Sequence, residues 1–168
     1  MNKLLITVVG ILVIAAGIVG YSLRGSDDST STSTDGTTKT ASSSSSKTAD
    51  YSGKGLSEFP KDVLKDKKIT VLVLSDNNLT GAIPAEIHDL ANLVRLDLSD
   101  NQMTGIPAEV GQLRKLKVLD YSNNQVTGLP MELSNLTQLE VLDLSGNNVS
   151  QQDLAGIRSK LLNTEIKL

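Results

Sequence analysis

An eleven-residue phrase recurs four times in this chain, and it constrains the fold more than any other feature. Its first copy reads Ile69-Thr-Val-Leu72-Val-Leu74-Ser-Asp-Asn77-Asn-Leu79, and the others begin at Leu93, Leu116 and Leu139. The starts are separated by 93−69 = 24, 116−93 = 23 and 139−116 = 23 residues. A fixed period of about 20 to 50 residues implies a solenoid, in which each unit contacts only its neighbours. Within the phrase, Leu72 and Leu74, Leu96 and Leu98, Leu119 and Tyr121, and Leu142 and Leu144 alternate with other residues. That period of two describes a short strand with one buried face. Burying each such side chain contributes roughly 1.5 to 3 kcal/mol, and only if an adjacent repeat covers it. One copy therefore does not fold alone, whereas a stack does.

Position 9 of the phrase is always asparagine, at Asn77, Asn101, Asn124 and Asn147. It falls where the chain leaves the strand, in a bend whose backbone groups have no sheet partner. A buried amide carries both donor and acceptor and satisfies such groups, and losing it would cost about 1 to 3 kcal/mol. These asparagines are expected to be a structural ladder and not a catalytic row.

A second shared phrase follows: Leu79-Thr-Gly-Ala-Ile-Pro84-Ala-Glu-Ile, Met103-Thr-Gly-Ile-Pro107-Ala-Glu-Val and Val126-Thr-Gly-Leu-Pro130-Met-Glu-Leu. Glycine supplies backbone freedom for the bend, and proline presets a turn or helix start on the outer side. The first copy carries one extra residue, Ala82, which accounts for its period of 24. Together the two phrases resemble the leucine-rich repeat family, between the 24-residue plant type and the 23-residue "LP" type. The resemblance implies an α/β repeat solenoid: a right-handed superhelix with a parallel concave β-sheet and an irregular or helical convex face. It does not imply a ligand, because one fold serves many functions.

The repeats are expected to occupy residues 51–168. Tyr51 to Pro60 matches the second half of a repeat, so a half repeat spans 51–68 before the full repeats from 69, 93, 116 and 139. Its outer turn, Pro60 to Lys68, is amphipathic, with Val63 and Leu64 facing inward and Lys61, Lys65, Lys67 and Lys68 outward. At the far end, Ser150 followed by Asp153 reads as a helix start. Leu154, Ile157 and Leu161 then recur at helical spacing, ahead of a closing strand at 164–168. In that strand Ile166 and Leu168 are expected to point in, and Glu165 and Lys167 out. Charges on a terminal edge strand discourage pairing with other chains, which favours a monomeric repeat domain.

Composition excludes several functions. The 118 residues from Tyr51 carry 12 Lys/Arg and 15 Asp/Glu, a balance unsuited to nucleic acid. No cysteine is present, so disulfide caps, thiol catalysis and cysteine metal sites are excluded. His88, the one histidine, falls on an outer turn as a solvated residue. The serines at position 7 have no base beside them, and the aspartates follow no calcium-loop pattern. No catalytic residue, metal or cofactor is expected.

Two segments precede the repeats. Leu4 to Leu23 is a 20-residue run without charge, long enough as a helix to span about 30 Å of bilayer. Within residues 1–25 it reads as an uncleaved transmembrane signal anchor, with a cleaved signal peptide as the alternative. From Ser26 to Asp50, 16 of 25 residues are Ser or Thr. Such a segment cannot build a core and is expected to be a disordered tether. The expected location of the repeats is therefore extracytoplasmic, on a bacterial cell surface, or secreted if the signal is cut.

Positions 3 and 5 of each strand point away from the core. Position 3 reads Val71, Arg95, Val118 and Val141, and position 5 reads Val73, Asp97, Asp120 and Asp143. Adjacent strands lie about 4.8 Å apart, so equal positions form ladders. An acidic ladder beside a valine ladder suits a basic protein or peptide, or a bound cation, although solvated consensus residues would give the same pattern. The expected function is a membrane-tethered module that binds a protein or peptide through this concave face. Two alternatives stand beside it: a structural or adhesive surface element, and, on the resemblance to plant-type repeats, an inhibitor of an exogenous hydrolase.

Overall fold

A computed structural model describes residues 46–168 of the chain. The apolar run at 4–23 and most of the Ser/Thr-rich segment lie outside the described residues. Six parallel strands form the main sheet in the order β1 (Thr48–Asp50), β2 (Val71–Val73), β4 (Arg95–Asp97), β6 (Val118–Asp120), β7 (Val141–Asp143) and β8 (Glu165–Lys167). Two shorter strands, β3 (Thr80–Gly81) and β5 (Gln102–Met103), pair in parallel beyond the asparagine bends. Every pairing in the main sheet joins equal repeat positions, so Leu72, Leu96, Leu119, Leu142 and Ile166 stand in one row. The leucines of that row are fully buried. This is the solenoid that the repeat period implies.

The sheet begins earlier than the sequence suggests. β1 lies upstream of Tyr51, in the last residues of the Ser/Thr-rich segment, and its residues Thr48, Ala49 and Asp50 pair with Val71, Leu72 and Val73. No apolar pattern marks these residues because β2 offers a ready-made edge, and only Ala49 faces the core. Thr70 helps to hold them: its hydroxyl accepts from the Lys47 N–H at 2.9 Å. Lys47 also forms an ion pair with Asp66.

The asparagine ladder forms as the residue chemistry requires. The Asn101 side-chain oxygen accepts from the Leu79 N–H, while its NH₂ donates to the carbonyls of Leu74, Leu98 and Ser99 at 3.0 to 3.1 Å. Asn124 repeats the pattern with Met103, Leu98, Tyr121 and Ser122. Asn77 and Asn147 make the equivalent bonds. Each amide therefore ties its own bend to the preceding repeat. The residue just before it takes a left-handed backbone, with φ of 56° at Asp76, 54° at Asp100, 54° at Asn123 and 74° at Gly146. Asp, Asn and Gly are the residue types that adopt this conformation at least cost.

On the outer side, Pro60, Pro84, Pro107 and Pro130 each precede a five-residue 3₁₀ turn: Lys61–Lys65, Ala85–Asp89, Ala108–Gln112 and Met131–Asn135. The short period leaves no room for a longer helix. The tighter bonding appears as Ile87 N–H to the Pro84 carbonyl at 3.1 Å and Leu90 N–H to the Ile87 carbonyl at 3.0 Å. The last outer segment is a true helix, α1 (Gln151–Arg158), with the Ser150 side chain accepting from the Asp153 N–H as its cap. Leu154, Ile157 and Leu161 are buried beneath it. In the first outer turn Val63 is buried and Leu64 half-buried, while the four lysines face solvent.

One inward position departs from expectation. Leu168 follows β8 in the register of the buried Leu144, yet it is 55% exposed. Among the described residues no strand follows β8 to cover it. Ile166 is half-buried, packed against the core on one side.

Tyr121 stands in the leucine row of position 6 and is fully buried. Among the described residues its hydroxyl has no hydrogen-bond partner, and burial pushes the phenol pKa upward. Tyr121→Phe removes the unsatisfied oxygen and keeps the ring. The expected result is a stability unchanged or raised by up to about 2 kcal/mol, because an unpaired buried polar group costs about 1 to 3 kcal/mol. A denaturant midpoint clearly below the parent's would show that the hydroxyl is satisfied in solution.

Candidate functional site: the solvent face of the parallel sheet

The structure gathers all eight candidate residues on one face. Val71, Arg95, Val118 and Val141 form one column, and Val73, Asp97, Asp120 and Asp143 the next. The columns continue at both edges of the sheet, through Thr48 and Glu165 in the first and Asp50 and Lys167 in the second. All four valines are half-buried, as β-branched side chains on an open sheet face should be.

The aspartates are less free than a row of solvated carboxylates. Each uses Oδ1 to accept two hydrogen bonds from the serine two residues on. Asp97 accepts from Ser99 N–H at 3.1 Å and Ser99 Oγ at 2.8 Å. Asp120 accepts from Ser122 at 2.9 and 2.7 Å, and Asp143 from Ser145 at 3.1 and 2.6 Å. Asp50 makes the same pair with Ser52 at 2.9 and 2.7 Å. The Asp-x-Ser spacing is the sequence signal of this local turn. It gives Ser99, Ser122 and Ser145 a structural role in orienting the carboxylates, whereas Ser75 follows Val73 and has no such partner.

The second oxygens distinguish the three central aspartates. Asp97 Oδ2 accepts from the Arg95 guanidinium at 2.7 Å, and Asp97 is only 7% exposed. The reading of the aspartates as solvated residues does not describe Asp97, since it and Arg95 occupy each other. Asp143 Oδ2 lies 3.4 Å from Lys167 Nζ across the β7–β8 pairing. Burial alone would raise the Asp143 pKa, but the Ser145 hydrogen bonds and the Lys167 charge outweigh it and hold it below the ordinary value. Asp120 stands between them, half-buried, with no basic partner within ion-pairing distance among the described residues. Its Oδ2 is the carboxylate oxygen that this part of the ladder leaves open, with Val118 and Val141 in the next column. Strand pairing and side-chain reach decide this, so sequence position alone does not reveal it.

The outer face is occupied differently. His88 Nδ1 lies 2.7 Å from the Ala85 carbonyl, and its Nε2 lies 3.7 Å from Asp89. Exposed ion pairs join Lys67 to Asp89 at 2.6 Å and Lys117 to Glu140 at 2.7 Å. Pairs of this kind contribute little to stability. Among the described residues, no helix is long and apolar enough to cross a membrane.

Known proteins share this architecture. Receptor like protein 22 of Arabidopsis thaliana is 46% identical over 54 residues, covering 32% of this chain and 7% of that protein. A leucine-rich repeat protein of Leptospira interrogans superposes with a TM-score of 0.63 at 38% identity, over 67% of this chain and 28% of the other. A plant peptide hormone receptor, RGFR1, solved in complex with RGF2, gives a TM-score of 0.58 at 32% identity, over 66% of this chain and 18% of the receptor. This chain thus spans less than a third of each of these relatives. The family described as a leucine-rich repeat region matches residues 57–161. With repeat period, asparagine ladder and parallel sheet in agreement, the chain belongs to the leucine-rich repeat family.

Proposed function

We propose that this protein is a binding module for a protein or extended peptide, that the solvent face of the parallel sheet is its recognition surface, and that Asp120 is the residue on which a basic ligand group docks. The open Oδ2 of Asp120, between two aspartates already neutralised by Arg95 and Lys167, carries the proposal. The valines beside it supply apolar contact without an aromatic anchor, so modest affinity per copy is expected. Relatives support the class of function, since the superposed plant protein is a peptide hormone receptor solved in complex with RGF2. The proposal extends to placement: an anchor at 4–23 and the Ser/Thr-rich tether would hold the repeats outside the cytoplasm, just clear of a membrane.

Asp120→Asn is the informative variant. Its amide oxygen still accepts from Ser122, so the turn survives while the charge is lost. Charge reversal at Asp97 or Asp143 would instead break an internal ion pair. The full chain is presented to an array of extended peptides, each carrying one Arg flanked by apolar residues, beside the same peptides with Gln for Arg. The expected result is binding of a subset of the Arg peptides that falls about tenfold in Asp120→Asn, the scale of one hydrogen bond to a charged group. Equal binding by parent and variant, or no preference for Arg over Gln, would remove Asp120 from the site.

A further inference from the structure

We infer that Arg95 sets what the Asp120 site accepts: by occupying Asp97 it limits the face to one isolated cationic side chain and turns away ligands that carry two on the same side. The inference rests on the reading of Asp120 as the docking residue and adds a specificity-determining residue to it.

Arg95 is the one departure from valine in the column Val71, Arg95, Val118 and Val141. It stands two residues before Asp97, so both side chains leave the same face of β4. Strand register sets Asp97 directly beside Asp120 and Arg95 directly beside Val118. Adjacent strands lie about 4.8 Å apart. With valine at position 95, Asp97 and Asp120 would be neighbouring carboxylates, each with Oδ1 held by its serine and Oδ2 open. Such a pair suits two cationic groups. Arg95 closes half of it.

The Arg95 guanidinium donates to Asp97 Oδ2 at 2.7 Å. The Arg95 side chain stays 43% exposed while that of Asp97 is only 10% exposed. Asp97 is thus covered, and much of the guanidinium remains at the surface. A second cation directed at Asp97 meets the Arg95 charge there. A partner tethered two residues away also acts at a high effective concentration, so a free ligand group of modest affinity does not displace it.

On the other side of Asp120, Asp143 is paired in register and lies 3.4 Å from Lys167. Asp120 is therefore a single open carboxylate with an internally neutralised one on each neighbouring strand. A ligand with one basic residue finds its counter-charge. Alternate side chains of an extended peptide lie roughly 6.5 Å apart on one side, so a second basic residue reaches a neighbouring strand whose carboxylate is already taken. Like charges side by side on a sheet face repel.

Arg peptides that bind the full-length parent are resynthesised with a second Arg two residues away, and both forms are titrated. The parent should bind the Arg-x-Arg form no more tightly than the single-Arg form. Arg95→Val, which installs the residue found in the rest of the column, and Arg95→Gln should each prefer Arg-x-Arg about tenfold, the scale of one added hydrogen bond to a charged group. Arg95→Lys keeps the cation and should keep the parent's order. Adding Asp97→Asn to Arg95→Gln removes the freed charge, while the amide oxygen still accepts from Ser99, and should abolish the new preference. A parent that already prefers Arg-x-Arg would overturn the inference and leave Asp120 as the docking residue. The same holds for Arg95→Val and Arg95→Gln variants that show the parent's circular dichroism and the parent's order. Arg peptides that bind parent and Asp120→Asn alike, or no Arg peptide bound by the parent, would remove the docking residue and the inference together.

Discussion

Asn101→Ala is expected to cost about 3 to 5 kcal/mol of folding stability, since it orphans several buried backbone groups worth about 1 to 3 kcal/mol each. The bonds at stake are the Leu79 N–H and the carbonyls of Leu74, Leu98 and Ser99, in a site where Asn101 is 8% exposed. A loss of that size is a large fraction of the roughly 5 to 15 kcal/mol that holds a domain together. Asn101→Asp is nearly isosteric yet should be no milder, because a carboxylate cannot donate to three carbonyls and would repel them. Asn123→Gly is the matched control. Asn123 is exposed, makes a single side-chain bond to Asp100 at 2.9 Å, and has a left-handed backbone that glycine adopts freely. Its expected cost is about 0.5 kcal/mol, typical of an exposed site. Denaturant midpoints read at constant slope compare the three variants. A cost below about 1 kcal/mol for Asn101→Ala would mean that water replaces the amide and that the ladder is not a main source of stability.

The second large effect is expected at Gly111, and its origin is steric. A Cβ on Gly111 would sit 2.2 Å from the Glu132 carbonyl oxygen and 2.6 Å from its carbonyl carbon. The contacted atoms are backbone, so the turn at Met131–Asn135 must move away from the turn at Ala108–Gln112. Gly111→Ala should therefore cost about 3 kcal/mol, the upper part of the range for overpacking. Gly105→Ala provides the contrast, because nothing lies within 4 Å of a Cβ there. That substitution should be neutral or stabilising by about 0.5 kcal/mol through the unfolded chain. Thermal melts of both variants, with hydrogen exchange at Leu133 and Leu136, distinguish the cases. Equal melting temperatures would show that the outer turns separate at little cost.

The contrast between these two sites shows how far the sequence could be read. Asn101 is legible because its role recurs at a fixed interval: four asparagines at one position of a 23-residue period need a repeated structural reason. Gly111 has no such signature. Its counterparts one period away are His88 and Ser134, so nothing in the pattern marks it. Only the approach of one particular carbonyl from the next repeat makes its missing side chain necessary.

The candidate site divides along the same line. Membership of the solvent face followed from alternation within each strand, and all eight residues lie there. Their availability did not follow. Asp97 and Arg95 share a face and could each have met a ligand, but a 2.7 Å ion pair joins them. Asp143 is neutralised by Lys167, a residue 24 positions away that lies beside it only because β8 adds to β7. The start of the fold was displaced for a related reason. Thr48–Asp50 carries no apolar alternation, and its strand exists because β2 presents unpaired backbone groups to it.

By itself the sequence determined the repeat length, the inward leucines, the asparagine ladder, the turn prolines and the capped final helix. All of these rest on local periodicity and on side-chain chemistry that acts within one repeat or between identical neighbours. The tertiary structure alone decided which carboxylate remains open, which glycine is irreplaceable and that Thr48–Asp50 joins the sheet. Those properties depend on unlike residues brought together across repeats. A periodic pattern describes what like positions do to one another, and it loses its power where unlike residues meet.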